Sequence, residues 1–123
     1  MSTTYYTSDH EWITIENNIA TIGITDHAQQ ALGEIVFVEL PPVGEECEKG
    51  SAIAVVESVK SASDVYAPIE GKITAINADL EDSPEKVNES AEENGWFFKI
   101  QFDNELSLDG LMTQEDYLKT LDE

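Results

Sequence analysis

A lysine placed where a chain reverses direction offers its amine to a modifying enzyme, and one stretch of this sequence makes that arrangement. Residues 51–57 and 63–67 both read as strands, which leaves Ser58-Val59-Lys60-Ser61-Ala62 to turn the chain. Small neighbours leave the approach to Lys60 open. Acylating that amine would root a long flexible arm at a fixed point and raise the effective concentration of its end group at partner sites. The simpler alternative is a solvated turn lysine, and turn geometry alone favours it. A Schiff-base lysine fits poorly, because a catalytic lysine is normally desolvated to depress its pKa. A hairpin tip among carboxylates does the reverse.

Other chemistries find little support. There is no glycine-rich phosphate loop and no serine in a strained elbow. His10 and His27 are far apart in sequence and lack metal-site spacing. Between Asp9 and Glu11, His10 is expected to face solvent rather than to bind a metal. With one cysteine, Cys47, neither an internal disulfide nor a cysteine metal cluster is available. Glu45, Glu46 and Glu48 disfavour its thiolate, so the thiol is expected to be inert. Carboxylates are too numerous for any pair of them to suggest glycosidase-type chemistry. Asp and Glu number 26 against six lysines and no arginine, a net charge of −20. Such a surface repels nucleic acid and anionic lipid and steers cationic protein surfaces towards it. No apolar run reaches bilayer length, and the N-terminal residues have neither a secretory nor an arginine-rich transit pattern. The expectation is a cytoplasmic protein without nucleic-acid or membrane partners.

The elements that would hold Lys60 are short. Residues 11–16 alternate apolar with polar, Asn17-Asn18 turns, and residues 19–25 return as a hairpin. Thr25 or Asp26 can cap a helix through Ala28 to Leu32 that ends at Gly33. Residues 34–40 have the composition of a buried strand, and Pro41-Pro42 ends it. Residues 44–50 read as an acidic loop. Pro68 and Gly71 bracket a turn before a strand over 72–76. Ser83-Pro84 predicts a capped helical turn, and Asn94-Gly95 another reversal. Residues 96–102 form the clearest strand. The tail from Thr113 reads as a helix with Tyr117, Leu118 and Leu121 on one face. Many short strands and few helices make a mainly β chain of one domain, 1–123.

Within that frame, Glu57-Ser58-Val59-Lys60 followed by Ser61-Ala62-Ser63-Asp64 closely resembles the lipoylation site of glycine cleavage system H proteins. So do His10-Glu11-Trp12, Ala20-Thr-Ile-Gly-Ile-Thr-Asp-His-Ala28, Gly33-Glu-Ile-Val-Phe-Val-Glu-Leu-Pro41, Glu81-Asp-Ser-Pro84, Val87-Asn88 and Gly95-Trp96. The resemblance runs from about Tyr6 to the final helix. Ser61 stands where Ala or Thr is expected, and Ala91-Glu92-Glu93 replaces a Pro-Tyr pair.

The resemblance implies a flattened barrel of two small antiparallel sheets with short helices, one of them C-terminal. It implies a carrier protein rather than an enzyme. Lipoate would be joined by an amide to Lys60, and Glu57, Ser58, Val59 and Ser61 would form the modification hairpin. The arm would take an aminomethyl group from the pyridoxal-phosphate glycine decarboxylase to the tetrahydrofolate-dependent aminomethyltransferase. An FAD- and NAD-dependent dihydrolipoyl dehydrogenase would then reoxidise it. A lipoate-attaching enzyme is a fourth implied partner. Glu11 and Asp64 match positions whose carboxylates lie near the ammonium of the loaded arm, although by composition alone both read as solvated surface. A lipoyl domain of a 2-oxoacid dehydrogenase would show Asp-Lys-Ala at the turn, and a biotin carrier would flank the lysine with Met. A lipoate relay and an unmodified acidic interaction module stay open as alternatives.

Overall fold

Ile13 and Ile15 alternate with polar residues, and Ile22 and Ala20 face them across a turn in which Asn17 adopts φ 56°. Asparagine tolerates that left-handed conformation well, so the predicted hairpin forms. The computed structural model describes residues 3–7, 10–92, 95–102 and 111–121. In chain order its elements are β1 (Thr3–Tyr6), β2 (Glu11–Glu16), β3 (Ile19–Ile24), α1 (Asp26–Leu32), β4 (Ile35–Glu39), β5 (Glu46–Cys47) and β6 (Ala52–Ser58). There follow β7 (Ala62–Tyr66), β8 (Gly71–Ile76), α2 (Asp79–Asp82), α3 (Lys86–Ser90), β9 (Phe98–Gln101) and α4 (Gln114–Leu121). The predicted turn residue Asn94, Asp9 beside His10, and the Leu121 side chain lie outside the described residues.

Among the described residues the strands form two antiparallel sheets, ordered β1-β2-β3-β9-β8-β5 and β4-β6-β7. The sheets are not closed into the flattened barrel expected. The core lies between them: Ile13, Ile22, Ile73 and Ile100 from one sheet meet Val38, Val56 and Val65 from the other in one buried cluster. Burying such side chains contributes about 1.5–3 kcal/mol each.

Several expectations need correction. The first strand, β1, was not read from the sequence, and Cys47 belongs to a short strand, β5, within the acidic loop. β4 is not buried throughout: Val36 and Phe37 are about half exposed, at 49% and 46%. The ladder with β6 shifts register between Ile35 and Phe37, and β4 lies outermost in its sheet. A shift of that kind turns side chains from the core face to solvent. Ser83 closes α2, which was not expected, by donating its amide to Asp79 O at 2.7 Å. Leu118 is 49% exposed, so Tyr117 anchors α4 without it. Tyr117 stacks on Tyr6 with ring centroids 4.8 Å apart.

Candidate functional site

The hairpin joining β6 and β7 turns through Ser58-Val59-Lys60-Ser61. The Ser58 amide donates to Ser61 O at 2.8 Å. The Ser58 hydroxyl accepts from the amides of Lys60 and Ser61, each at 3.1 Å, and donates to Ser61 O at 3.2 Å. One hydroxyl thus satisfies two amides of the reversal, a role serine fills in turns. Ser58 is buried, while Val59, Lys60 and Ser61 are exposed. Glu57 is half-buried and pairs with Ala62. All the residues expected in the modification hairpin are therefore together.

The other lysines are placed differently. Lys86 pairs with Asp79 at 3.4 Å, Lys119 with Glu115 at 3.9 Å, and Lys99 sits 5.1 Å from the centre of the Trp96 ring. Lys72 lies within β8 between Glu46 and Gln101 on the neighbouring strands. Lys49 flanks the acidic β5. Lys60 alone occupies the tip of a strand hairpin, and among the described residues its amine has no carboxylate partner. Its stem crosses Gly33, the φ 84° residue that ends α1. A Cβ added there would stand 3.4 Å from Lys60 Cε and 3.8 Å from Nζ. The lysine therefore runs over a glycine whose bare Cα leaves it room. Nothing in the sequence pattern pointed to this contact, because the two residues come from separate elements.

Glu11 and Asp64 diverge in their surroundings. Asp64 is exposed on β7 opposite Val55. Glu11 is only 2% exposed, so it is not the solvated surface acid that composition favours. Its carboxylate accepts the Tyr66 amide at 2.6 Å and the Thr7 hydroxyl at 3.3 Å. The first of these bonds ties β2 to the β7 end of the hairpin, two residues beyond Asp64.

The two histidines, distant in sequence, meet with ring centroids 4.7 Å apart. His10 adopts φ 66°, is half-buried, and its Nδ1 lies 2.7 Å from the Tyr117 hydroxyl. That hydroxyl also contacts Thr25 Oγ1 at 2.8 Å. His10 therefore helps seat α4 instead of facing solvent freely. Among the described residues no group of three or more metal-ligating side chains converges. Tyr6 donates to Glu92 at 3.3 Å, and burial followed by the Glu92 charge pushes its pKa up to about 12. Burial also raises the Tyr117 pKa. Cys47 is buried, and burial more than the nearby Glu45 charge pushes its thiol up. The expectation of a protonated thiol holds, with a different leading cause.

A family profile described as Glycine cleavage H-protein matches residues 4–123. A glycine cleavage system H protein of Pseudoalteromonas translucida (strain TAC 125) is 54% identical over 119 residues, covering 96% of this chain and 92% of that protein. One from Acidiphilium cryptum (strain JF-5) is 51% identical over 117 residues, covering 95% of this chain and 94% of that one. The crystal structure of a glycine cleavage system H protein from Mycobacterium marinum superposes with a TM-score of 0.89 at 34% identity. It covers 98% of this chain and 97% of its own.

Proposed function

The chain belongs to the glycine cleavage H-protein family, and from that premise we propose that Lys60 Nζ carries lipoate through an amide. The family role is that of lipoyl carrier in the glycine cleavage system. In that role the chain takes an aminomethyl group from glycine decarboxylase to the aminomethyltransferase, and it meets dihydrolipoyl dehydrogenase before the next round. These three enzymes and a lipoate-attaching enzyme are its proposed partners. Lipoate, when bound, supplies a dithiolane whose sulfurs accept cargo and change redox state. Bond-making chemistry lies with the partners' pyridoxal phosphate, tetrahydrofolate and flavin, so the chain acts as carrier and substrate rather than as an enzyme. Its residues 1–123 serve as one carrier domain, and the compartment we propose is the cytoplasm. No helix among the described residues is long and apolar enough to cross a membrane.

The supporting observation is the exposed amine of Lys60, free of any carboxylate partner among the described residues, on a turn fixed by the Ser58 hydroxyl. An amine engaged in an ion pair would have to be released before acylation. The stem lying over Gly33 fits the same role, since it gives the arm a defined root. Asp64 is proposed to accept the ammonium of the cargo. Glu11 is proposed to assist from β2, where it also holds the Tyr66 amide.

Peptide mapping by mass spectrometry of protein from its native source tests the assignment. A lipoyl mass on the peptide containing Lys60 is expected. Lipoate on Lys49 or Lys72, with Lys60 bare, would overturn it.

A further inference from the structure

Asn88 lies on α3, far in sequence from the modification turn, yet it grips the backbone on which that turn rests. Outside β6 and β7, the turn is held by the Val59 amide donating to Glu34 O at 3.0 Å. Packing adds little there, because the Val59 side chain is 65% exposed. The direction of Lys60 therefore depends on where the Glu34 carbonyl is held. The peptide unit that carries this carbonyl and the unit before it are both bonded to the Asn88 carboxamide. Its Oδ1 accepts the Ile35 amide at 2.8 Å, and its Nδ2 donates to Gly33 O at 2.8 Å. The remaining amide hydrogen goes to Gln29 Oε1 on α1 at 2.9 Å. Gln29 is itself buried and donates to Asp26 at 2.8 Å. The ladder between β4 and β6 shifts register just after Ile35, so strand pairing alone does not secure this point. The same segment includes Gly33, over which the Lys60 stem lies.

We propose that Asn88 is a positioning residue for Lys60, holding the 33–35 segment so that the turn presents the amine in one orientation to the enzyme that acylates it. The proposal rests on Lys60 as the attachment point. It follows from side-chain chemistry, since an asparagine offers one acceptor and two donors in a plane, whereas aspartate offers no donor and leucine neither. An enzyme acting on Nζ itself cannot rely on a flexible arm to correct a misplaced root, and small misplacements are costly in such reactions. When only a fraction of molecules hold the competent orientation, apparent affinity falls by that fraction while turnover of the bound form is unchanged.

Asn88→Ala and Asn88→Asp would be compared with wild type as unmodified proteins in lipoylation by the lipoate-attaching enzyme. The expected result is a KM for the carrier raised by about tenfold with kcat nearly unchanged. Hydrogen exchange at the Val59 amide should accelerate by a similar factor, while exchange at Phe98 and Ile100 in β9 stays as in wild type. Should Asn88→Ala fail to fold, Gln29→Met, which removes the third Asn88 bond together with the bond from Gln29 to Asp26, is read in the same assays and should move both readouts the same way. Folded variants with wild-type KM and wild-type Val59 exchange would overturn the proposal. So would a raised KM with unchanged Val59 exchange, since Asn88 would then be a contact for the enzyme. If wild-type protein proved to be modified elsewhere, the reading of Lys60 would fail, and Val59 exchange would still decide whether Asn88 holds the turn.

Discussion

Arginine at position 60 keeps the positive charge but offers no amine that can form a stable amide with lipoate. Because the side chain is exposed, Lys60→Arg should leave the fold intact while abolishing glycine-dependent carbon dioxide exchange with the decarboxylase. Circular dichroism serves as the control, and near-normal exchange would refute the assignment. Glu11→Gln with Asp64→Asn tests the carboxylates. Gln keeps an acceptor for the Tyr66 amide, so lipoylation should persist while the loaded carrier releases ammonia sooner. Losing roughly 1.4 kcal/mol of docking bias corresponds to about a tenfold change in the docked-to-free ratio. Equal release rates at low and moderate salt would return both acids to a bystander role. A third residue carries a pH dependence. The Tyr6 phenol has a pKa raised to about 12 from its ordinary value of 10.0, so the folded state holds its proton more tightly. That contribution is complete below about pH 10 and is lost as pH rises towards 12. Ultraviolet titration of tyrosinate should show Tyr6 and Tyr117 titrating late, with Tyr6 moved earlier by Glu92→Gln. At this scale the turn lysine was legible from small residues and a reversal. The burial of Glu11 was not, because alternation cannot reveal that its partner is an amide at position 66.

The β2–β3 pairing places Gly23 directly opposite Trp12. A Cβ on Gly23 would stand 2.8–2.9 Å from atoms of the indole ring, whose Nε1 donates to Ala91 O at 2.9 Å. Gly23→Ala must displace that ring and weaken its bond. A loss of about 1–3 kcal/mol is expected in urea unfolding. Thr25 caps α1 by accepting from the Ala28 amide at 3.2 Å and also contacts the Tyr117 hydroxyl. Thr25→Ala should therefore cost about 1–2 kcal/mol and loosen α4 as well, seen as faster amide exchange along 114–121. Hairpins, the Thr25 cap and the stop at Gly33 were readable because each depends on residues close together in sequence. β1 and β5 were not. They are strands because Ile13 and Lys72 happen to be their neighbours, and short acidic or Thr-Tyr segments carry no periodicity of their own. The composition of β4 was read correctly as strand but wrongly as wholly buried, since a register shift leaves no mark in one strand's sequence.

A net charge of −20 on 123 residues makes the whole molecule repel itself. Screening should raise its unfolding midpoint between about 10 and 200 mM salt, where the Debye length falls from roughly 30 Å to below 10 Å. The same salt should weaken capture by cationic partner surfaces, and a midpoint insensitive to salt would show that the charges are already compensated locally. Self-repulsion also bears on the bond between Glu11 and Tyr66. The Ser58 amide bonded to Ser61 O sets the phase of the β6–β7 ladder, so the amides of Ala62, Asp64 and Tyr66 point away from β6. β7 is outermost in its sheet, and such an edge is a template onto which another chain can add a strand. By occupying the Tyr66 amide, Glu11 leaves only the short stretch beside Lys60 open to an incoming strand and closes the rest to a second copy. Glu11→Ala would unblock the longer edge. In high salt, where charge no longer keeps copies apart, light scattering should show that variant associating with rising concentration to a greater extent than the native chain under the same conditions.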